Sequence, residues 1–145
     1  MKIYLNGEYV EKEDAKISVF DHGLLYGDGV FEGIRIAHGG VFRLGDHVAR
    51  LFRSAQCLGL EVGKTPDEVQ EIILQTARAF GSPEAYVRLL VTRGAGALGI
   101  DPCSCPQAEI ICMVGSLAVY PEEKMEAGVT LGTSSWRRPD PDVLP

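Results

Sequence analysis

Long hydrophobic runs, clusters of positive charge and closely spaced cysteine pairs are scarce in this sequence. No apolar stretch approaches the roughly 20 residues that a helix needs to cross a bilayer, and the first residues lack the apolar region of a signal peptide. We therefore expect no membrane segment and a cytoplasmic location. The formal charge is −6 and no basic stripe is present, so we also expect no nucleic acid partner.

The four cysteines are too scattered for a metal or disulfide framework. Only Cys103 and Cys105 lie close together, and one C-x-C pair is poor spacing for zinc. Cys57 falls in a helical pattern and Cys112 in an apolar run, where buried, inert thiols are usual. We predict no metal site.

The sequence has the composition of one globular domain, with 145 residues of which 46% are hydrophobic and 23% charged. Its first part is β-like. Two short apolar segments flank Asn6 and Gly7, the pair best suited to a tight hairpin turn. Residues 16–20 continue this pattern before a glycine-rich bend, and a further strand is predicted from about Gly29 to Ile36 with a short return after Gly40.

Two helices follow, because the apolar period changes from two to nearly four. The first is predicted over about residues 46–59. The second begins with Thr65 as N-cap and Pro66 at the first helical position, and Glu68 completes a capping box. Gly81 ends it.

Further strands are predicted over residues 85–92, 109–114 and 129–133, before a proline-containing linker at 136–145. The order of strands, helices and strands favours an α+β fold in which two helices pack on one face of an antiparallel sheet. The segment Gly94–Gly99 matches G-x-G-x-x-G, but prolines follow where a dinucleotide-binding motif requires a helix. A parallel dinucleotide-binding fold is therefore not favoured.

Side chains on the third strand alternate between two faces, so Phe31, Gly33 and Arg35 should line the face opposite the helices. An aromatic wall, a gap and a nearby charge would suit a shallow ligand surface, whereas a plain strand with a bend is the alternative. Tyr86 and Arg88 face the same way by the same argument. Their side chains either line a cleft or lie on a solvated face of the sheet.

Arg50 flanks the apolar stripe of the first helix, whereas Arg53 lies opposite that stripe. A guanidinium group is always charged, and its planar fork suits phosphate oxygens. Arg50 is therefore the candidate anion anchor, with an ordinary surface arginine as the alternative.

Two motifs carry a family resemblance. Residues 26–35 read YGDGVFEGIR, and residues 47–51 read HVARL. Together they resemble the motifs of pyridoxal phosphate (PLP) enzymes of fold type IV, over essentially the whole chain. The resemblance implies the small N-terminal α+β domain of such an enzyme at 1–135 and the start of an interdomain linker at 136–145. It also implies that Arg50 binds the cofactor phosphate.

Within that family the chain is most similar to branched-chain aminotransferases. Phe31 and Gly33 match residues that line the side-chain pocket, and Arg88 matches an arginine that helps to bind acidic substrates. D-amino acid aminotransferases usually carry tyrosine at position 31 and an Arg-x-His segment in the loop 93–100, and neither occurs here. Aminodeoxychorismate lyase shares the fold and remains an alternative.

The implied activity is the transfer of an amino group from branched-chain L-amino acids to 2-oxoglutarate, with PLP as cofactor. Family members share their sites across a dimer. The resemblance therefore implies a homodimer in which Tyr26 and the loop containing Gly96 and Ala97 contact substrate, serving the neighbouring subunit.

The resemblance places the catalytic lysine, which forms a Schiff base with PLP, after the linker and beyond Pro145. Lys124 is not a candidate, because its acidic, proline-containing surroundings do not match the family site. We therefore expect these residues to lack the C-terminal cofactor domain, to be inactive alone and to bind PLP weakly at most. A complete, non-catalytic ligand-binding module is the alternative from another class.

Overall fold

The computed structural model describes residues 2–116, 120–138 and 140. The elements are, in chain order, β1 (Lys2–Leu5), β2 (Glu8–Glu11), α1 (His22–Tyr26), β3 (Gly29–Ala37), β4 (Gly40–Val41), α2 (Leu44–Cys57), α3 (Pro66–Phe80), β5 (Ala85–Thr92), β6 (Glu109–Gly115) and α4 (Glu122–Ala127). A single 3-10 turn, Pro102–Ser104, lies between β5 and β6. None of the described helices combines the length and apolar character needed to cross a bilayer.

Six strands form one antiparallel sheet in the order β2-β1-β6-β5-β3-β4. The first hairpin turns at Asn6 and Gly7, which both have positive φ, as that pair predicted. The Asn6 side chain also accepts a hydrogen bond of 2.8 Å from the Ile110 backbone, which ties the hairpin to β6. With helices α2 and α3 packed against this sheet, the predicted α+β fold is confirmed.

The two long helices match the predicted segments. In α3 the Thr65 side chain and the Glu68 side chain each accept a backbone hydrogen bond from the other residue, which is the capping box expected at this end. Gly81 ends the helix with a φ of 76°. Helix α2 begins at Leu44, two residues before the predicted start at 46.

The core lies between these helices and one face of the sheet. Its sheet side chains include Ile34, Val87, Leu89, Val91, Cys112 and Val114, and its helix side chains include Val48, Leu51, Ala55, Val69 and Ile73. Burial raises the pKa of the Cys112 thiol to about 12, as expected for a structural cysteine. The same expectation is wrong for Cys57, which is exposed because it lies at the last residue of α2, off the apolar stripe.

Two predicted strands do not form. Residues 16–20 turn toward α1 instead, with the Asp21 backbone bonded to the Ser18 carbonyl, and they leave Phe20 48% exposed. Residues 129–133 have no regular secondary structure, and Leu131 is 85% exposed. Both predictions rested on β-type composition alone, whereas a strand also needs a neighbouring strand to pair with. Of the predicted linker, residues 139 and 141–145 lie outside the described residues.

Candidate functional site

Strand β3 separates the helix-covered face of the sheet from its open face. Glu32 is 3% exposed on the helix side, whereas its neighbour Phe31 is 64% exposed on the other. This alternation confirms the two faces predicted from the sequence.

The outer side of β3 is a sheet edge. Strand β4 pairs only with Ile36 and Ala37, so no described strand lies beside β3 between Gly29 and Ile34. The backbone on that side is available to another group. A molecule placed at this edge would meet side chains from both faces of the strand.

The open face brings together Phe31, Gly33 and Arg88, as predicted. The guanidinium carbon of Arg88 lies 4.8 Å from the centre of the Phe31 ring and 5.4 Å from that of Tyr86. Gly33 pairs with Arg88 across the strands. A Cβ atom at Gly33 would overlap the Tyr86 hydroxyl group, so glycine is what allows that ring to lie over the strand.

Arg50 reaches β3 from α2 and binds Glu32 through two hydrogen bonds. Its Nε atom donates to Oε1 at 2.7 Å and its Nη2 atom donates to Oε2 at 2.5 Å. His47, one turn earlier on α2, has its Nδ1 atom 2.8 Å from the same Oε2. Since an ionised carboxylate only accepts, Nδ1 is the donor in this contact.

The charge on Glu32 is stabilised despite its burial. Burial is the largest single influence on its pKa and acts to raise it, but the hydrogen bonds and charges of Arg50 and His47 outweigh this and lower the pKa below its usual range. The hydrogen bonds to Glu32 raise the pKa of Arg50 in turn. Both groups are therefore charged at neutral pH.

Arg50 retains donors for a further anion. Glu32 occupies the Nε and Nη2 edge, whereas no described residue accepts a hydrogen bond from Nη1. The Arg50 side chain is 58% exposed. A guanidinium that is fixed on one edge and open on the other fits a phosphate group.

Tyr26, Gly96 and Ala97 come together at a third location, where α1 meets the loop after β5. The Nε2 atom of His22 lies 2.8 Å from the Ala97 carbonyl oxygen, and the Tyr26 hydroxyl group donates to the Leu98 carbonyl. A Cβ atom at Gly96 would lie 2.7 Å from the Ser104 hydroxyl oxygen and 3.0 Å from the His22 ring. The loop therefore requires glycine there.

The sequence did not reveal an ion pair between Arg93, at the end of β5, and Asp28, in the turn before β3. Arg93 donates to both carboxylate oxygens of Asp28, at 2.9 and 3.0 Å, and to the carbonyl groups of Leu58 and Gly59 at the end of α2. One side chain thus connects α2, the turn before β3 and the end of β5. The Asp28 hydrogen bond raises the pKa of Arg93.

Glu32 and His47 were also missed as functional residues, although signals for them were present. A glutamate among the buried positions of β3 requires a cationic partner, and His47 lies three residues before Arg50 on the same helix face. Among the described residues, no hydrogen bond or ring contact links Arg50 directly to the Phe31 and Arg88 face or to Tyr26. The predicted site residues therefore form three groups.

Comparison with known proteins gives one consistent result. The family model for amino-transferase class IV matches residues 29–145. A relative in Methanocaldococcus jannaschii, named a putative branched-chain-amino-acid aminotransferase, is 49% identical over 99% of this chain and 49% of its own length. The branched-chain-amino-acid aminotransferase of Escherichia coli is 36% identical over 99% of this chain and 48% of its own. The chain therefore spans about half the length of these curated relatives.

Solved structures agree. A branched-chain aminotransferase from Thermoproteus uzoniensis, with norvaline, has a TM-score of 0.84 and 35% identity over 100% of this chain and 49% of its own. Similarity to other activities is lower. A D-alanine aminotransferase of Staphylococcus epidermidis is 32% identical over 96% of the chain. A 4-amino-4-deoxychorismate lyase from Pseudomonas aeruginosa has a TM-score of 0.69 and 29% identity.

Proposed function

Since this chain belongs to the class IV amino-transferase family, we propose that it forms the substrate-side domain of a PLP-dependent branched-chain aminotransferase. The reaction would move the amino group of a branched-chain L-amino acid to 2-oxoglutarate. The observation that carries the proposal is the Arg50 guanidinium, which Glu32 of β3 fixes through two hydrogen bonds while Nη1 stays available. Phe31, the neighbour of Glu32, lies on the other face of the same strand.

Arg50 would hold the phosphate group of the cofactor. Its free Nη1 donors and permanent charge make short, charge-assisted hydrogen bonds to phosphate oxygens. When bound, PLP supplies the electron sink that transamination requires. The lysine expected to bind it covalently remains predicted beyond Pro145, so these residues would contribute binding and orientation.

The open face would form the substrate wall. The Phe31 ring offers an apolar surface for aliphatic side chains, and Gly33 leaves space beside it. Arg88 keeps a cation next to that wall through its contacts with Phe31 and Tyr86. One wall could then accept an aliphatic amino acid in one half-reaction and the second carboxylate of 2-oxoglutarate or glutamate in the other.

A homodimer is part of the same proposal. Five apolar side chains of α1 and its neighbouring loops are 48 to 79% exposed: Val19, Phe20, Leu24, Leu98 and Ile100. Exposed apolar surface of this kind favours a partner. We assign it to a second copy of the chain, to which Tyr26, Gly96 and Ala97 would then lie close. A cytoplasmic location and a role in branched-chain amino acid biosynthesis belong to the proposal too.

A chimeric enzyme tests the proposed activity. Residues 1–145 would replace the matching half of the Methanocaldococcus jannaschii relative, with that relative unchanged as the control. We expect the chimera to transfer the amino group of leucine, isoleucine or valine to 2-oxoglutarate, measured as glutamate formed. A folded chimera that binds PLP but acts on D-alanine instead, or on no amino acid, would contradict the proposal.

A further inference from the structure

We propose that Glu32 and His47 are positioning residues, which hold the Arg50 guanidinium so that only its Nη1 side faces an incoming phosphate group. The inference rests on the proposed function, because it concerns the same phosphate contact. It assigns roles to two residues that need not touch cofactor or substrate.

The first support is the concentration of donors on one buried carboxylate. Glu32 receives two hydrogen bonds from Arg50 and one from His47, at 2.7, 2.5 and 2.8 Å. The Glu32 side chain is 4% exposed, whereas that of Arg50 is 58% exposed. The fixed end of the pair is therefore inside the protein, and the open end is at the surface.

The second support is geometric. An arginine side chain has many rotamers, and an exposed one loses much of its freedom when it binds an anion. Two parallel hydrogen bonds from Glu32 remove that freedom before the anion arrives. His47 fixes Glu32 itself from the preceding turn of α2.

Orientation and net charge predict opposite effects when Glu32 is changed. Glu32 places a negative charge beside Arg50, so its charge alone opposes the binding of phosphate. If Glu32 acted only through charge, its removal would strengthen phosphate binding. If it acts by positioning, its removal weakens phosphate binding, because the guanidinium no longer has a fixed direction.

The probe is pyridoxamine 5′-phosphate, with pyridoxamine as the ligand that lacks phosphate. The Kd of each for the 145-residue chain is measured by NMR titration, which reaches weak affinities and reports the Arg50 Nε–H resonance. Glu32→Gln removes the charge with little change of size, and Glu32→Asp keeps the charge but shortens the reach. We expect each to raise the Kd of pyridoxamine 5′-phosphate at least fivefold, without changing that of pyridoxamine.

Glu84→Gln is the matched control. Glu84 accepts a hydrogen bond of 3.1 Å from Arg35 of β3, but both side chains are exposed and, among the described residues, neither bonds to Arg50. The change in net charge is the same as in Glu32→Gln, so a general effect of charge would appear in both. We expect less than a twofold change of Kd.

Substitutions at His47 separate positioning from folding. His47→Ala removes the hydrogen bond to Glu32, and His47→Asn places an amide donor near the Nδ1 position. We expect Ala to raise the Kd of pyridoxamine 5′-phosphate and Asn to restore it, with both variants folded by circular dichroism. If the Glu32 variants do not fold, the comparison of His47→Ala with His47→Asn tests the positioning role.

If Glu32→Gln and Glu32→Asp bind pyridoxamine 5′-phosphate as tightly as the unsubstituted chain, or more tightly, the positioning role is wrong. If only the His47 variants fold, an equal Kd for His47→Ala and His47→Asn overturns it. The proposed function survives these results, provided that the unsubstituted chain prefers the phosphorylated ligand. If the unsubstituted chain shows no such preference, the phosphate role of Arg50 and the positioning role fail together.

Discussion

The guanidinium group of Arg88 lies over the ring of Phe31, with 4.8 Å between the guanidinium carbon and the ring centre. The contact joins β5 to β3 on the open face of the sheet, opposite the helices. Under the proposed function, it would place a charge for an acidic substrate beside an apolar surface for an aliphatic one. A substrate pocket of dual character would begin from this pair.

We predict that Arg88→Gln affects acidic substrates selectively. In the chimeric enzyme, the KM for 2-oxoglutarate should rise about tenfold, because one charge-assisted hydrogen bond contributes on the order of 1.5 to 3 kcal/mol. The KM for leucine should change less than threefold. Arg35→Gln is the control, since Arg35 lies on the same face but pairs with Glu84. A similar loss for both substrates would contradict the assignment of Arg88.

Gly33→Ala should destabilise the fold by up to about 1 kcal/mol, because the added Cβ atom would overlap the Tyr86 hydroxyl and lie 2.8 Å from its Cζ atom, so this half-buried ring must move away. Urea unfolding measures the change. In a Tyr86→Ala background the cost should disappear. Gly115→Ala is a matched control, since Gly115 also pairs with Tyr86 but has open space around it. Equal destabilisation at both glycines would refute this explanation.

Asp28→Asn should lower the free energy of unfolding by about 1 to 3 kcal/mol, because it removes a charge-assisted, two-point contact from Arg93. These side chains are 23% and 12% exposed. Glu71→Gln breaks an exposed pair with Arg78 and should cost less than about 1 kcal/mol. Urea unfolding compares the two variants. An equal cost would mean that the Asp28–Arg93 pair contributes no more than an exposed ion pair.

Acid should remove the stabilisation that Glu32 provides. The pKa of Glu32 is lower in the folded chain than its ordinary value of about 4.3. Its contribution is therefore complete above that value and is lost as the pH falls through the lower, folded pKa. The difference in unfolding free energy between the unsubstituted chain and Glu32→Gln should therefore shrink as the pH falls below about 4. A difference that grows as the solution becomes more acidic would contradict this linkage.

The sequence predicted elements whose signals are local. Helix α3 begins at its capping box and ends at Gly81, and the alternation along β3 follows directly from its residues. The hairpin at Asn6 is equally local. Residues 16–20 and 129–133 have β-type composition as well, but strand formation depends on a neighbour that the sequence does not identify.

The candidate site was only partly predictable for the same reason. Arg50 and Phe31 could be found from motifs, and the open face followed from alternation. The contact between Arg50 and Glu32 joins a helix to a strand 18 residues away, and its partners depend on how the two elements pack. Helix α1 was missed because five residues are too few for a helical period.

The most direct test of the central claim is whether Arg50 binds the phosphate group of the cofactor. We would measure the Kd of pyridoxamine 5′-phosphate and of pyridoxamine for the unsubstituted chain, for Arg50→Met and for Arg53→Met. Arg53 is an exposed arginine on the same helix and serves as the control. We predict that the unsubstituted chain and Arg53→Met bind the phosphorylated ligand at least tenfold more tightly than the unphosphorylated one. Arg50→Met should lose that preference. A preference retained in Arg50→Met, or lost equally in Arg53→Met, would contradict the account.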